Sequence, residues 1–133
     1  MKLSSKSHYG LMACDVLAKN YQKRPVSASE LEGYISVSGK YLEKIMRMLS
    51  GRGIVTANRG ASGGYVLCRP PEEITVGEVV RALEDDMEIT ECVKKEGVCK
   101  CCPTSAVWKK LYAGINELLD GITLKQMTDG EVR

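Results

Sequence analysis

The sequence predicts a mostly α-helical fold with one small β-hairpin: a winged helix-turn-helix followed by a long C-terminal helix. Three observations predict this class. Apolar residues recur at helical spacing, helix-starting residues precede two helices joined by a turn of three or four residues, and a glycine-rich segment joins two short β-type runs. The 133 residues are 44% hydrophobic and 27% charged, which is typical of one globular domain with or without an appendage.

Three helices are predicted before residue 52. The first covers residues 5–20, where Tyr9, Met12, Ala13, Val16 and Leu17 have helical spacing. Ser27 and Glu30 have the spacing of a capping box and open a second helix that runs to about Tyr34. Ser38 caps the third, over residues 39–51, where one face is apolar and the opposite face is basic: Leu42, Ile45 and Leu49 against Lys40, Lys44 and Arg47.

A β-hairpin follows the third helix. Its predicted strands are residues 54–57 and 65–68, and the connection between them, residues 58–64, contains three glycines. The prolines at 70 and 71 end this unit. We therefore expect residues 1–71 to form a winged helix-turn-helix domain, and residues 72–133 to form a second part with its own role.

The second part is predicted to hold three helices and a loop. Thr75 and Glu78 have capping-box spacing and open a helix to about Glu84, and residues 86–102 have no periodicity and are assigned as a loop. A long helix begins at Cys102–Pro103 and ends before Gly121, its expected C′ residue, and a small helix follows from Thr123. Apolar residues cover more than one face of the long helix, which predicts burial against a second copy of the chain: Val107, Trp108, Leu111, Tyr112, Ile115, Leu118 and Leu119.

Charge divides the chain unevenly. Residues 1–69 hold 11 Lys and Arg against 4 Asp and Glu, and residues 70–133 hold 8 against 13. A basic first half favours a polyanionic partner, and the helix over 39–50 has the polar outer face that a DNA-reading helix needs. The expected DNA contacts are a capping serine, four charged residues of that helix and one arginine of the wing: Ser38, Lys40, Glu43, Lys44, Arg47 and Arg59.

Four of the six cysteines lie within eleven residues, at Cys92, Cys99, Cys101 and Cys102. The other two, Cys14 and Cys68, sit in apolar patterns and are expected to be small buried hydrophobes. The N-terminus lacks a secretory signal, so we expect a cytoplasmic protein, in which clustered cysteines favour a metal or redox site over disulfides. Three options stay open here: an iron–sulfur cluster, a zinc ion, or a thiol redox switch activated by the lysines at 94, 95 and 100.

Other function classes have little support. The chain has one histidine, so no Ser/His/Asp or Cys/His pair is evident, and it contains no phosphate-binding loop. No run of about 18 apolar residues could span a membrane. We therefore expect neither an enzyme with a small-molecule substrate nor a membrane protein.

Several motifs of this chain resemble those of the Rrf2 family of winged-helix regulators, and especially its iron–sulfur members. The resemblance covers nearly the whole chain and rests on residues 1–6, Tyr41–Glu43, Arg59–Tyr65, Val76–Val79, the cysteine loop, Trp108 and Ile122–Leu124. It implies that residues 39–50 are the recognition helix, with Tyr41 in a matching stretch. It also implies that Arg59 and Gly60 belong to a DNA-contacting wing, and that the long helix forms a homodimer on pseudo-palindromic double-stranded DNA.

The resemblance also implies a cofactor and a regulatory role. The cofactor is an iron–sulfur cluster, 2Fe–2S rather than 4Fe–4S, and the regulated genes are those of cluster biogenesis. Two alternatives remain open: a nitric-oxide-sensing repressor of the same family, and a thiol redox switch without a cluster.

The cysteine loop departs from the family pattern of three cysteines, a histidine and a tryptophan. Counting back from Trp108 implies that Cys102 is the third cysteine, Cys92 the first and Cys99 the middle one, with Ser105 where relatives have the histidine. The fourth metal ligand is therefore open. In order of preference, the candidates are His8, Cys101, Glu43 and Ser105.

Overall fold

The computed structural model describes residues 3–84, Met87 and residues 103–133. Its helices are α1 (Ser5–Lys19), α2 (Ala28–Ile35), α3 (Gly39–Gly51), α4 (Val76–Leu83), α5 (Ser105–Asp120) and α6 (Leu124–Thr128). A hairpin of β1 (Val55–Asn58) and β2 (Gly64–Leu67) lies between α3 and α4. The predicted fold class, mostly helical with a small hairpin, is confirmed.

The helix-turn-helix consists of α2 and α3. Ser27 caps α2 by accepting a hydrogen bond from the Glu30 N–H, and Ser38 caps α3 in the same way from the Tyr41 N–H. Between them Ser36 adopts a left-handed conformation, with φ at 58°, which ends α2 abruptly. The expected capping box at Glu30 is not completed, because the Glu30 carboxylate instead accepts two hydrogen bonds from Arg24, at 2.8 and 2.9 Å.

The two strands form an antiparallel hairpin in which Val55 lies opposite Leu67 and Asn58 opposite Gly64. Val26 adds a third short segment through reciprocal backbone hydrogen bonds with Tyr65, of 3.0 and 2.8 Å. The backbone of Val26 comes so close to Gly64 that a side chain there would collide with its carbonyl. The wing is therefore fixed at its base to the segment that precedes α2.

The main hydrophobic core joins the three N-terminal helices, the hairpin, α4 and α6. Its fully buried side chains include Leu17, Leu31, Leu42, Ile45, Leu49, Ile54, Ile74, Leu83 and Leu124. The predicted capping box at Thr75–Glu78 is formed in full, and the structure shows a further capping box at Thr123–Gln126, where the sequence predicted only a small helix. The starts of α4 and α6 are also hydrogen-bonded to each other, since the Val76 N–H donates to Ile122 and the Leu124 N–H donates to Ile74.

Three expectations need correction. Cys68 is exposed, because the alternation of the strand points Leu67 into the core and turns the next residue outward. The long helix begins at Ser105 rather than at Pro103, which lies in a turn before it. Gly121 ends that helix with φ at −83°, so no left-handed glycine is needed there. The predicted loop over 86–102 lies outside the described residues except for Met87.

Candidate nucleic-acid interface

The exposed face of α3 carries a concentration of positive charge. Lys40, Lys44 and Arg47 are all exposed, while Leu42, Ile45, Met46 and Leu49 on the opposite face are buried. Glu43 lies on the exposed face and its carboxylate accepts a hydrogen bond from Arg47 at 3.0 Å. Both side chains of this ion pair are more than half exposed, so it contributes little to stability and either group can turn to a new partner.

The start of α3 is open to solvent. Ser38, Gly39 and Lys40 are exposed, and the first-turn N–H groups carry the positive end of the helix dipole. A phosphate at this position would meet backbone donors and the Lys40 ammonium together. The structure therefore places Ser38 and Lys40 where an anionic backbone can reach them.

Tyr41 is placed differently from its neighbours. Its hydroxyl is 2.7 Å from the Ser5 hydroxyl, and its ring packs edge-on against Tyr9 with 6.0 Å between the centroids. The side chain is half-buried and connects α3 to α1.

The tip of the wing presents Arg59 to solvent. Gly60 has φ at 116°, a conformation that residues with side chains rarely adopt, and its carbonyl accepts a hydrogen bond from the Gly63 N–H. A Cβ on Gly63 would collide with the Asn58 carbonyl. The two glycines thus make a tight turn that leaves Arg59 exposed at its edge.

The wing and the helix-turn-helix are neighbours on one side of the molecule. An open groove of about 410 Å³ lies between α2, the first two turns of α3 and the hairpin, and its lining includes Ala28, Glu32, Lys40, Glu43 and Tyr65. The start of α3 and the base of the hairpin therefore line one groove. We use the name basic surface for the exposed Lys40, Lys44 and Arg47 of α3 together with Arg59 of the wing.

The predicted cluster ligands Cys92, Cys99, Cys101 and Cys102 lie outside the described residues. Within the described ranges, no group of three or more His, Cys, Asp or Glu side chains is placed to hold a metal ion. Burial raises the pKa of the Cys14 thiol to about 12, and the charge of Asp15 adds to this effect, so Cys14 is a protonated core residue. Cys68 is remote in sequence from the four clustered cysteines.

His8 is exposed on α1, and its ring is 5.2 Å from that of Tyr9. It lines an open groove of about 460 Å³ along the outer side of α1, together with apolar side chains such as Leu11 and Met12 and the C-terminal end of α6. Its imidazole is thus accessible to a segment from outside the described chain. Ser105, another candidate ligand, is half-buried at the start of α5.

The long helix α5 has no buried residue. Val107, Leu111 and Leu118 are exposed to 57%, 46% and 71%, and at 3.6 residues per turn they lie within about 40° of one line along the helix. The opposite side holds Tyr112 and Leu119 against Val76 and Val80 of α4. We call the three exposed residues the apolar stripe.

Sequence patterns gave no sign of a polar contact between the start of α1 and the end of α4. Glu84 accepts hydrogen bonds from Ser4 and Ser7, 80 and 77 residues away in sequence. Burial acts to raise the pKa of this carboxyl, but the bonds from Ser7 and Ser4 and the charge of Lys6 outweigh it, so the pKa lies below its ordinary value. Long-range pairings of this kind have no local periodic signal.

None of the helices in the described ranges is long and apolar enough to cross a lipid bilayer. Residues 3–130 match the profile of the Rrf2 family, which is described as an iron-dependent transcriptional regulator. The transcriptional regulator IscR of Aliivibrio salmonicida is 37% identical over 137 residues, covering 100% of this chain and 81% of the relative. The structure titled T. potens IscR matches with a TM-score of 0.80 at 35% identity, over 98% of this chain and 88% of the other.

The chain is equally similar to a second group of transcriptional regulators. The regulator CymR of Bacillus subtilis is 35% identical over 134 residues, covering 98% of this chain and 94% of the relative. Its structure, titled as that of the global cysteine regulator, matches with a TM-score of 0.82 at 31% identity, over 97% of each chain. The relatives of both branches are transcriptional regulators and not enzymes, as expected for this chain.

Proposed function

Because the chain belongs to the Rrf2 family of transcriptional regulators, we propose that it binds pseudo-palindromic operator DNA as a homodimer and adjusts that binding through an iron–sulfur cluster. The observation that carries the proposal is the exposed basic face of α3, whose first turns line a groove together with the hairpin that carries Arg59 at its tip. This DNA-binding regulator works in the cytoplasm, where the chromosome is.

On the basic surface, α3 enters the major groove and the wing follows the DNA backbone. Lys40 and Lys44 contribute positive charge towards phosphates, and Arg47 is a long exposed donor suited to guanine. Glu43 can accept from a cytosine amino group once Arg47 has turned to the DNA. Arg59, next to Gly60, inserts into or along the minor groove.

The apolar stripe of α5 forms the homodimer. Arg81 of α4 pairs with Asp120 and donates to Asn116 at 2.9 Å, so the C-terminal half of α5 is attached to its own chain. The stripe faces away from that attachment and is too apolar to stay in water without cost. Two copies joined along α5 present two recognition helices, which matches the two half-sites of a palindrome.

The cluster ligands are Cys92, Cys99 and Cys102, with His8 or Cys101 as the fourth, and Glu43 or Ser105 after them. The donor set fits the group, because four thiols within eleven residues provide the soft thiolates that iron–sulfur clusters require. When bound, the cluster supplies a redox-active, oxygen- and iron-responsive centre. Cys92, Cys99 and Cys102 would hold it, and either the exposed imidazole of His8 or the Cys101 thiolate would supply the fourth ligand.

The cluster type we propose is 2Fe–2S, with 4Fe–4S second, and the regulated genes are those of cluster biogenesis. A cluster-free thiol switch is the second candidate function. The match to a protein titled the global cysteine regulator supports it, at an identity within a few per cent of the iron–sulfur branch.

Measurements on anaerobically purified protein distinguish the cluster-binding regulator from the cluster-free thiol switch. The protein is purified without oxygen, and its visible absorption, iron and acid-labile sulfide are measured for the wild type, Cys92→Ala and the matched variant Cys68→Ala. We expect a coloured wild type and Cys68→Ala, and a colourless but folded Cys92→Ala. A colourless wild type after reconstitution with iron and sulfide, with thiols that oxidise reversibly, would favour the thiol switch.

A further inference from the structure

The first turn of α1 is hydrogen-bonded to two other helices at once. On one side, one carboxylate oxygen of Glu84 accepts from the Ser4 N–H at 2.8 Å, from the Ser4 hydroxyl at 2.8 Å and from the Ser7 hydroxyl at 2.6 Å. Ser7 is only 3% exposed, so this contact is part of the interior. A carboxylate at the start of a helix also interacts favourably with the helix dipole.

On the other side, the same turn contacts the recognition helix. The Ser5 hydroxyl is 2.7 Å from the hydroxyl of Tyr41, which lies in the first turn of α3. The N–H of Tyr41 is the group that Ser38 caps, so a displacement of Tyr41 moves the very turn that carries Ser38 and Lys40. The ring contact between Tyr41 and Tyr9 adds a second link between α1 and α3.

We propose that this first turn couples the C-terminal end of α4 to the start of the recognition helix, with Glu84 and Ser5 as positioning residues for DNA reading. The inference rests on the proposed function, because it assumes that α3 reads an operator. Glu84 is the last residue before the segment 85–102, which carries four cysteines. A conformational change in that segment would therefore displace Glu84 and the first turn of α1, and through them the start of the DNA-reading helix α3.

Such coupling requires one firm contact and one contact that can break, and the bonds at Glu84 and at Tyr41 differ in this way. A carboxylate that accepts three hydrogen bonds holds its donors more tightly than a neutral acceptor does. The Ser5–Tyr41 bond, in contrast, is exposed, so it can break without burying an unsatisfied group. The contacts with Glu84 and with Tyr41 are both made by residues 4–7, within one turn of α1, so a displacement of Glu84 also displaces Tyr41.

The test is a double-mutant cycle on DNA discrimination. An operator duplex is first selected from a randomised library with the wild-type protein, and a duplex of the same composition in scrambled order serves as the nonspecific probe. The affinity ratio of the two probes is measured for the wild type, Ser5→Ala, Glu84→Ala and the double variant. Thr128→Val is the matched control, since it removes one hydroxyl bond between α1 and a different helix, that to Asp15 at 2.9 Å.

We expect Ser5→Ala and Glu84→Ala each to lower the ratio about three- to tenfold, and the double variant to lower it no further than the larger single effect. Affinity for the scrambled duplex is expected to stay constant, because it depends on phosphate contacts. Glu84→Gln keeps one acceptor oxygen and is expected to restore part of the ratio. If Glu84→Ala does not fold, Ser7→Ala, which removes one donor to the same carboxylate, takes its place.

Four results would count against the coupling or against the proposed function. Single-variant effects that multiply in the double variant would overturn the coupling, as would a ratio unchanged from that of Thr128→Val. A loss of thermal stability without any change in the ratio would show that the contact is only structural. A wild type that selects no sequence from the library would instead contradict the proposed function itself.

Discussion

At the scale of single residues, the basic surface depends on a few long side chains held by rigid backbone. The wing shows this arrangement most clearly, because Gly60 and Gly63 fix a turn in which Arg59 is exposed. We expect such a residue to add to DNA binding without adding to the stability of the fold. Its contribution can therefore be measured separately from folding.

We expect Arg59→Ala to lower operator affinity by about five- to 150-fold, the range that corresponds to an arginine contact of about 1–3 kcal/mol. The slope of the logarithm of affinity against that of salt concentration should fall by about one if Arg59 lies on a phosphate. Lys125→Ala is the matched control, because this exposed cation lies on α6, outside the basic surface. An Arg59→Ala protein that binds as tightly as the wild type would remove the wing from the interface.

The pH dependence of stability provides a second test at this scale. The pKa of the Glu84 carboxyl lies below its ordinary value of 4.5 in the folded chain, so its stabilising contribution is complete above pH 4.5 and is lost as pH falls through the folded-state pKa. We expect urea unfolding to show a stability that declines more steeply below pH 4.5 in the wild type than in Glu84→Ala. Parallel acid slopes would mean that Glu84 has no special interaction in the fold.

At the scale of elements, the sequence predicts where helices begin better than what they pack against. Ser27, Ser38 and Thr75 were assigned as caps because a capping side chain bonds within its own first turn, and all three do so in the structure. The amphipathic pattern of α3 likewise separated its basic face from its buried face. Both features depend on residues that are close together in the sequence, so sequence spacing alone predicts them.

Relations between distant residues were not predictable in this way. The Ser4–Glu84 contact joins two residues that are 80 positions apart in the sequence, so no local sequence spacing predicts it. Cys68 was wrongly assigned as buried because an apolar run does not say which strand residue is its last inward one. The cluster ligands, which lie outside the described residues, stay a prediction of the sequence and of the family resemblance.

The crossing of α1 and α4 depends on the absence of a side chain at Gly10. A Cβ there would collide with the end of the Leu83 side chain, which is fully buried and would have to shift within the core. We expect Gly10→Ala to destabilise the fold by about 1–3 kcal/mol, in spite of the better helix propensity of alanine. Gly33→Ala, which meets no atom within 4 Å, is expected to leave stability unchanged or raise it; chemical denaturation of both variants measures the difference.

The apolar stripe on α5 gives the prediction for assembly. Leu111→Glu places a charge in the proposed dimer contact and is expected to give monomers with a far lower operator affinity, as measured by sedimentation and fluorescence anisotropy. Ala113→Glu adds the same charge on an exposed position about 160° around the helix from Leu111 and should stay dimeric. A Leu111→Glu protein that sediments like the wild type would place the dimer contact elsewhere.

In the molecule as a whole, the exposed basic residues and the clustered cysteines lie in different parts of the chain. The basic residues proposed to contact DNA lie before residue 70, and the four clustered cysteines and the apolar stripe lie after it. The core nevertheless joins both parts, since Ile74, Leu83 and Leu124 pack with the N-terminal helices. A change at the cysteines can therefore reach the DNA-reading helix through packed structure.

The most direct measurement of the central claim compares operator affinity in two states of the same protein. Anaerobic, cluster-loaded protein and protein stripped of iron by a chelator are titrated against the selected duplex, with Cys92→Ala as the reference that has one state only. We expect at least a fivefold difference between the states of the wild type, the lower end of typical allosteric coupling, and none for Cys92→Ala. Equal affinities for loaded and stripped wild type would contradict the central claim.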